Sequence, residues 1–542
     1  MSDEIEPARD DKNLAAVADV DVAEDAAHKD VQVDVHTKLY DGVQRRMEQR
    51  HMQMIALAGT LGTGLFLGSG KTIAHGGPVG SLLSYILTGS VAYCMLVSVG
   101  EMAVYAPISG GYIHFTERWF SPAVGFAMGW QVTFQYCLFL PSEVIAANIL
   151  ISFWDTNFTK AHQAAYMIAL MLGAAGINYF GVRWFGESEF IFAMIKIALV
   201  IGLIIAGIVV DLGGGPNHDR IGFRYWKDPG PFAPYHTTGS LGSFLGWFTD
   251  LLQAAGSYTG IESISMAAAE AIKRLFWRIL LFYILAVFVV GLLVPYTDPS
   301  LLQSTGTAAS SPFVTAFNRA GIKALPSIIN AAILTSAFSA GSSLMYSASR
   351  MLYGLSLRGY APRILAKTTS RGLPIVSLSI VTLFFALSFM SLSSGSETVL
   401  NWLSNFNALI GFIVWGTIGI TYLRFKKGLA AQGIDRKQFH YHSRLQPFAA
   451  YWVIFWSAIV IIFNGWEVFT KGNWDASNFV VAYINIPIFA LLIGAYYLVK
   501  KPEWIRAEDL DFVSNIPTDE EVHYEEPPPR NVFVKLMNVL FT

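Results

Sequence analysis

The chain has 542 residues, 53% hydrophobic and 14% charged, with a formal net charge of −2. Soluble domains carry about 25% charged residues, so this composition excludes an ordinary soluble enzyme or binding module. With no basic field for phosphates, it also excludes a nucleic-acid partner.

Residues 1–40 hold eleven Asp or Glu against four Lys or Arg, and 501–542 are polar again, with Pro527, Pro528 and Pro529 in a row. We read 1–50 and 501–542 as disordered cytoplasmic tails around a transmembrane domain at 51–500. No basic-then-apolar signal pattern opens the chain, so the first apolar block should itself act as the insertion signal. Crossing a bilayer takes about 20 apolar residues. Spans are expected at 54–74, 79–106, 121–153, 163–181, 188–210, 241–270, 276–296, 324–352, 373–393, 400–423, 447–466 and 479–499. Twelve spans return both tails to one side. Lys and Arg crowd the loops on that side, including Arg45, Arg46, Arg50, Lys273, Arg274, Arg358, Arg363, Lys426 and Lys427, which makes it cytoplasmic by the positive-inside rule. The sequon Asn157-Phe158-Thr159 then faces outside. The loop 211–240, rich in Gly, Pro and aromatics, is expected to cap the outer mouth. Cys94 and Cys137 both fall in apolar segments, which argues against a disulfide framework.

Two spans look broken. The first puts five glycines into the thirteen residues Ala58 to Gly70. Each glycine costs about 1 kcal/mol against alanine in a helix interior. Close helix packing of the GxxxG type and a break that binds solute both explain this stretch. A dinucleotide loop does not, because the spacing is wrong and no βαβ unit surrounds it. The sixth span then repeats the pattern as Gln253-Ala254-Ala255-Gly256-Ser257-Tyr258-Thr259-Gly260. Matching interruptions in two halves point to a transporter site at the midplane, where exposed N–H groups meet an anion and carbonyls meet a cation. A zwitterion satisfies both.

At these residues the chain resembles the amino acid–polyamine–organocation superfamily, and within it the fungal amino acid permeases (the yeast amino acid transporter family). The resemblance is carried by Gly62-Thr63-Gly64-Leu65-Phe66-Leu67-Gly68-Ser69-Gly70, Gly76-Gly77-Pro78, Gly100-Glu101-Met102, Ser336-Ala337-Phe338-Ser339-Ala340-Gly341 and Leu423-Arg424-Phe425-Lys426-Lys427, in order over about 50–500. It implies an all-α, LeuT-like fold: a 5+5 inverted repeat with helices 1 and 6 broken, plus two extra helices. It implies proton-driven import of amino acids across the plasma membrane by alternating access, with no cofactor and no enzymatic step. Tail-binding regulatory or ubiquitin-ligase adaptors are the implied protein partners, with Lys12, Lys29 and Lys38 accessible for modification. Carried onto this chain, the substrate carboxylate would rest on the backbone of Thr60, Gly62, Thr63 and Gly64. The amine would face carbonyls near Thr60 and in Ala255, Gly256, Ser257 and Tyr258. The family usually places an aromatic lid at the Gly256 position, so glycine there leaves room for a larger or differently shaped solute, such as carnitine or a polyamine. A non-transporting nutrient receptor that keeps the same site is a third reading.

Charges within spans are costly and therefore candidates for function. Lys196 either snorkels to the inner surface or, like the family's span-five lysine, couples a proton to opening. Glu143 either carries a proton or recognises a cationic side chain, or is a hydrogen-bonded core carboxyl. Glu262 lies just past the span-six break and suits bracing of unwound backbone. No His pair at helical spacing suggests a metal, and no catalytic set can be assembled from spacing.

Overall fold

The computed structural model describes residues 64–514 apart from 108–109, 156, 259, 263–268, 303–310 and 440. Thr60, Gly62 and Thr63, the N-terminal tail and most of the C-terminal one lie outside the described residues. The elements of the described chain are all helices, with no strand among these residues. A π-turn at Gly64–Gly68 leads into α1 (Ser69–Tyr105), followed by α2 (Gly111–Trp119), α3 (Pro122–Ile151), α4 (Lys160–Phe180), α5 (Val182–Asp211), α6 (Gly239–Tyr258), α7 (Ala269–Leu293), α8 (Leu325–Leu357), α9 (Ile375–Leu383), α10 (Ser396–Ala431), α11 (Phe448–Phe463), α12 (Ala476–Tyr483) and α13 (Asn485–Lys500).

Among the described residues, seven helices are long and apolar enough to cross a membrane, or eight if α12 and α13, bent by 45° where they meet, form one span. Leu280–Leu293 and Phe448–Phe463 are shorter apolar helices. Large aliphatic side chains lie bare on the outside, Leu498 at 80% and Leu491 at 71% exposure. In a chain of this hydropathy such a surface faces lipid, and the protein is an integral membrane protein.

Local chemistry explains several ends. The expected boundary between the first two spans falls where the helix written here as α1 breaks: Gly77 is non-helical (φ 76°, ψ 177°), so α1 is two helices meeting at a kink, and only the end of the first span lies within the described residues. Pro78 follows with no N–H to donate, which suits it to start a helix. The freed Val79 N–H donates to the Pro231 carbonyl at 3.0 Å, tying the turn to the 212–238 loop. A Cβ at Gly77 would meet Ala233 N at 2.7 Å and the Pro231 carbonyl oxygen at 2.8 Å, so only glycine fits. Pro122 and Pro326 sit in the first turns of α3 and α8, where their missing N–H costs nothing. Thr159 caps α4 by accepting from the His162 N–H at 3.3 Å. Past Leu383, α9 tightens into a 3₁₀ stretch, Phe384–Met390.

The centre is built from α3 and α8, with α1 packed along α6 and α7, and α10 lying against both α3 and α11. Residues 504–514, counted with the C-terminal tail by composition, dock on the bundle. Leu510 and Phe512 are buried, and Phe512 stacks on Trp119 with ring centroids 5.8 Å apart. Gly428 of α10 leaves the notch they fill, since a Cβ there would lie 2.7 Å from Leu510 Cδ1. The Asp511 carbonyl accepts from Arg118 Nε at 2.7 Å and Trp119 Nε1 at 3.0 Å, and its carboxylate pairs with Arg118 at 2.9 Å.

Burial pushes the Asp511 carboxyl up, but the N–H groups of Ser514 and Val513 and the Arg118 guanidinium outweigh it and hold it below the usual carboxylate range. A depressed carboxyl adds stability above its unfolded pKa of about 4 and loses it only as pH falls through the lower folded value. Docking of 504–514 is therefore expected to hold unchanged from about pH 5 to 8 and to loosen only in stronger acid. Phe512→Ala empties the notch and should release the segment at any pH. Limited proteolysis of residues 504–514 in the two proteins checks both statements.

Candidate functional site

The π-turn and the end of α6 meet. A Cβ at Gly64 would lie 3.1 Å from Ser257 Cα, so the glycine is what lets the two backbones approach. α6 stops at Tyr258, and Gly260 takes a left-handed φ of 96°. The turn at Gly260 is braced by Glu262, whose Oε2 accepts from the Gly260 N–H at 3.1 Å and from Trp415 Nε1 of α10 at 3.2 Å. The exposed carbonyls at the junction have side-chain donors. Tyr283 Oη donates to the Ser257 carbonyl at 2.9 Å, and Ser311 Oγ donates to the Phe66 carbonyl at 3.1 Å. Polar main chain in the middle of an apolar bundle requires such partners.

The four α6 residues singled out by sequence face different ways. Ala255, Ser257 and Tyr258 are buried. Ser257 Oγ shares a 3.0 Å hydrogen bond with the Tyr85 hydroxyl, and the rings of Tyr85, Tyr258 and Tyr283 cluster, Tyr258 to Tyr283 at 4.7 Å. These side chains lock α6 to α1 and α7. Gly256 is partly exposed, and a Cβ placed there would have Ala408 Cβ of α10 as its nearest neighbour, at 3.9 Å. The Gly256 position of α6 therefore faces α10.

Lys196 is fully buried in α5, as is Glu189 two turns earlier. Ser339 Oγ of α8 donates to Glu189 Oε2 at 2.8 Å. Glu143 of α3 packs beside Gly341 of α8, where a Cβ would lie 3.7 Å from Glu143 Cβ, an ordinary van der Waals contact. Lys196 lies within electrostatic reach of both carboxyls.

Polar ties flank this middle layer. On one side, Lys71 Nζ donates to Asn401 Oδ1 of α10 at 2.6 Å. Nearby, Ser81 Oγ donates to Asp250 Oδ2 at 3.1 Å, and the His75 ring lies tilted against Tyr235 of the 212–238 loop with centroids 4.6 Å apart. On the other side, Glu101 pairs with Arg436 at 3.0 Å and accepts from the Tyr422 hydroxyl at 2.9 Å.

Sequence reading passed over three of these residues. Glu189 precedes Lys196 by seven positions, two helical turns, which puts both on one face, so its signal was present. Lys71 met the same test as Lys196, a lone cation inside an apolar block. Tyr283 carried no local signal, because its partner lies on another helix.

Residues 51–506 match the amino acid permease family. A dicarboxylic amino acid permease of Saccharomyces cerevisiae is 37% identical over 88% of this chain and 80% of its own length. A proline-specific permease of Emericella nidulans is 39% identical over 88% of each chain. A basic amino-acid permease of S. cerevisiae is 36% identical over 92% of this chain and 88% of its own. Among solved structures, a manganese transporter of Eremococcus coleocola has a similar fold, with a TM-score of 0.52 at 14% identity, covering 82% of this chain and 92% of that one. A match across the whole helical core, together with relatives this similar over most of their length, places the chain in the amino acid permease family.

Proposed function

We propose that the protein is a proton-coupled importer of amino acids, working by alternating access in the plasma membrane with both tails cytoplasmic. In this reading it has twelve spans arranged as a LeuT-like 5+5 repeat plus two, with 51–500 as the transport domain. The observation that carries the reading is the meeting of two irregular segments, the π-turn at Gly64–Gly68 and the α6 end at Tyr258, deep in an apolar bundle. The carboxylate rests on the main chain of Thr60, Gly62, Thr63 and Gly64, and the amine faces main-chain carbonyls near Thr60 and in 255–258. Lys196 and Glu143 couple the proton, and Glu262 holds the unwound segment in shape. Proton coupling also suits the chemistry of Lys196, whose ammonium supplies a cation where other carriers would need an ion.

The relatives' names cover acidic, basic and cyclic amino acids, so similarity alone leaves the side chain open. The test is uptake of labelled glutamate, proline and lysine, with carnitine and a polyamine as rivals, into vesicles holding the purified protein. Accumulation of an amino acid only under an inward proton gradient supports the reading. Uptake of amines alone supports the second reading, to which the partly exposed Gly256 lends room. Binding without flux supports a receptor. Gly256→Phe should fill the space toward Ala408 and raise the KM for the bulkier substrates about tenfold or more, through overpacking of about 1–3 kcal/mol. A substrate panel measured on both proteins checks this.

A further inference from the structure

A chain of contacts that starts at Gly256 joins α6 to α10 and α10 to α3. A Cβ at Gly256 would have Ala408 Cβ of α10 as its nearest neighbour, at 3.9 Å, and the next residue, Ser257, packs against Gly64 of the π-turn. Beside Ala408 stands Asn407, fully buried. Its main-chain carbonyl accepts a hydrogen bond from Gln135 Nε2 of α3 at 3.1 Å. Gln135 is buried too, near the middle of α3. Both side chains keep polar atoms without a partner among the described residues: Oδ1 and Nδ2 of Asn407 and Oε1 of Gln135. A buried amide left unmet is costly, so its presence calls for a group that meets it. Asn148 is the other carboxamide with both atoms unmet among the described residues, and it lies thirteen residues beyond Gln135, about 20 Å along α3. Gln135 and Asn407 are the pair linked to the junction. We propose that these two amides recognise the side chain of the substrate, and that the preferred substrate carries a neutral carboxamide there, as glutamine and asparagine do. This rests on the amino acid import reading above and names its substrate class.

The pattern of donors and acceptors selects the partner. Asn407 offers two N–H donors and a carbonyl oxygen, and Gln135 adds a second oxygen. A carboxamide carries the matching set. It can pair with Asn407 through two antiparallel N–H···O bonds and keep one N–H for Gln135. Because both groups are carboxamides, the match is the same whichever way the Asn407 amide is turned. A carboxylate only accepts, so it would meet Nδ2 and set its lone pairs against the two oxygens. An ammonium only donates and would leave Nδ2 unmet. Neither Gln135 nor Asn407 supplies a countercharge, and an unpaired buried charge costs more than a buried amide. Glu143, the one acid of α3, lies eight residues beyond Gln135, about 12 Å along the axis. An apolar side chain would leave every one of these polar atoms unmet, which is how a site built to hydrogen-bond rejects an analogue that cannot. Both amides are closed off in this structure, so the substrate reaches them when α6 and α10 part, as a carrier cycling between two states requires.

The test uses the full chain in vesicles, with labelled glutamine, leucine, glutamate and lysine as probes. The wild type is expected to take up glutamine with a kcat/KM about tenfold or more above the other three. Asn407→Leu keeps a branched side chain and removes the amide, and it should lower the glutamine-to-leucine ratio of kcat/KM about tenfold or more. Gln135→Leu should move the ratio the same way, and the double variant by less than the product of the two, because both act on one group. Asn407→Cys should react with a permeant maleimide in transporting vesicles, above the background from the buried Cys94 and Cys137, and glutamine should slow that reaction. A folded Asn407→Leu protein with an unchanged ratio overturns the proposal. So does an equal loss of all four substrates, which is what an amide that only holds α10 in place would give. Should Asn407→Leu fail to fold, Gln135→Leu decides: a lowered ratio supports the proposal, and an unchanged one overturns it. A cysteine at 407 that glutamine does not protect also overturns it. If the wild type accumulates none of the four under a proton gradient, the import reading itself fails. If it accumulates glutamate, lysine or leucine in preference to glutamine, only the present inference fails.

Discussion

Lys196→Met is expected to yield a folded protein that no longer concentrates its substrate, while exchange of internal for external substrate persists. Methionine has nearly the length of lysine and fits the same buried site, so packing survives. What it removes is a buried cation within electrostatic reach of two buried carboxyls, Glu189 and Glu143. Without the ammonium, two acids in one apolar site both keep their protons, because neither can ionise without an unpaired buried charge. The site then no longer changes protonation during the cycle, and a gradient has nothing to act on. A carrier without coupling equilibrates, so the internal-to-external ratio should approach about one at any proton gradient. Accumulation and counterflow assays on the same vesicles separate these two properties. Normal accumulation by the mutant removes Lys196 from the mechanism.

Gly77→Ala should destabilise the protein strongly. Gly77 has φ 76° and ψ 177°, a region open essentially to glycine alone. The added Cβ would also meet main-chain atoms of 231–233, at 2.7 Å from Ala233 N and 2.9 Å from Phe232 Cα. Backbone strain of about 1–3 kcal/mol and overpacking of similar size both act against the folded state. Because the clashing atoms are backbone, no side chain can swing aside, and the 212–238 loop must lift off the turn. A loss of several tens of per cent of folded protein in the membrane is therefore reasonable to expect for a marginally stable bundle, at roughly 2–5 kcal/mol. Gly176→Ala in α4 is the control, since a Cβ there meets nothing within 4 Å and alanine favours the helix. Thermal unfolding in detergent, followed by size-exclusion chromatography, compares the two. Equal stability of both variants would contradict the packing described for the turn.

Helix positions were legible because each span is coded by its own residues. The reading of 121–153 corresponds to Pro122–Ile151, and that of 447–466 to Phe448–Phe463. Where residues act across helices, sequence was silent. The amphipathic helix α2 and the docking of 504–514 went unread, since a few apolar residues in a polar tail have no period to betray them. Gly260 looked like any break residue, and only the fold shows its N–H resting on Glu262. Span six was read as broken within 253–260, and α6 ends inside that stretch, at Tyr258, while the remainder of the reading, to 270, lies largely outside the described residues.

Composition and local pattern alone determined that this is a membrane protein, where most of its helices run, and that its first and sixth spans hold irregular stretches. Those properties depend on side chains within a few turns of one another, and lipid imposes them on each segment separately. Tertiary structure decided which polar partners the charged side chains meet: Lys71 with Asn401, 330 residues away, and Glu189 with Ser339, 150 residues away. Such pairs form only after the helices pack, and nothing in the local spacing of either partner encodes the other.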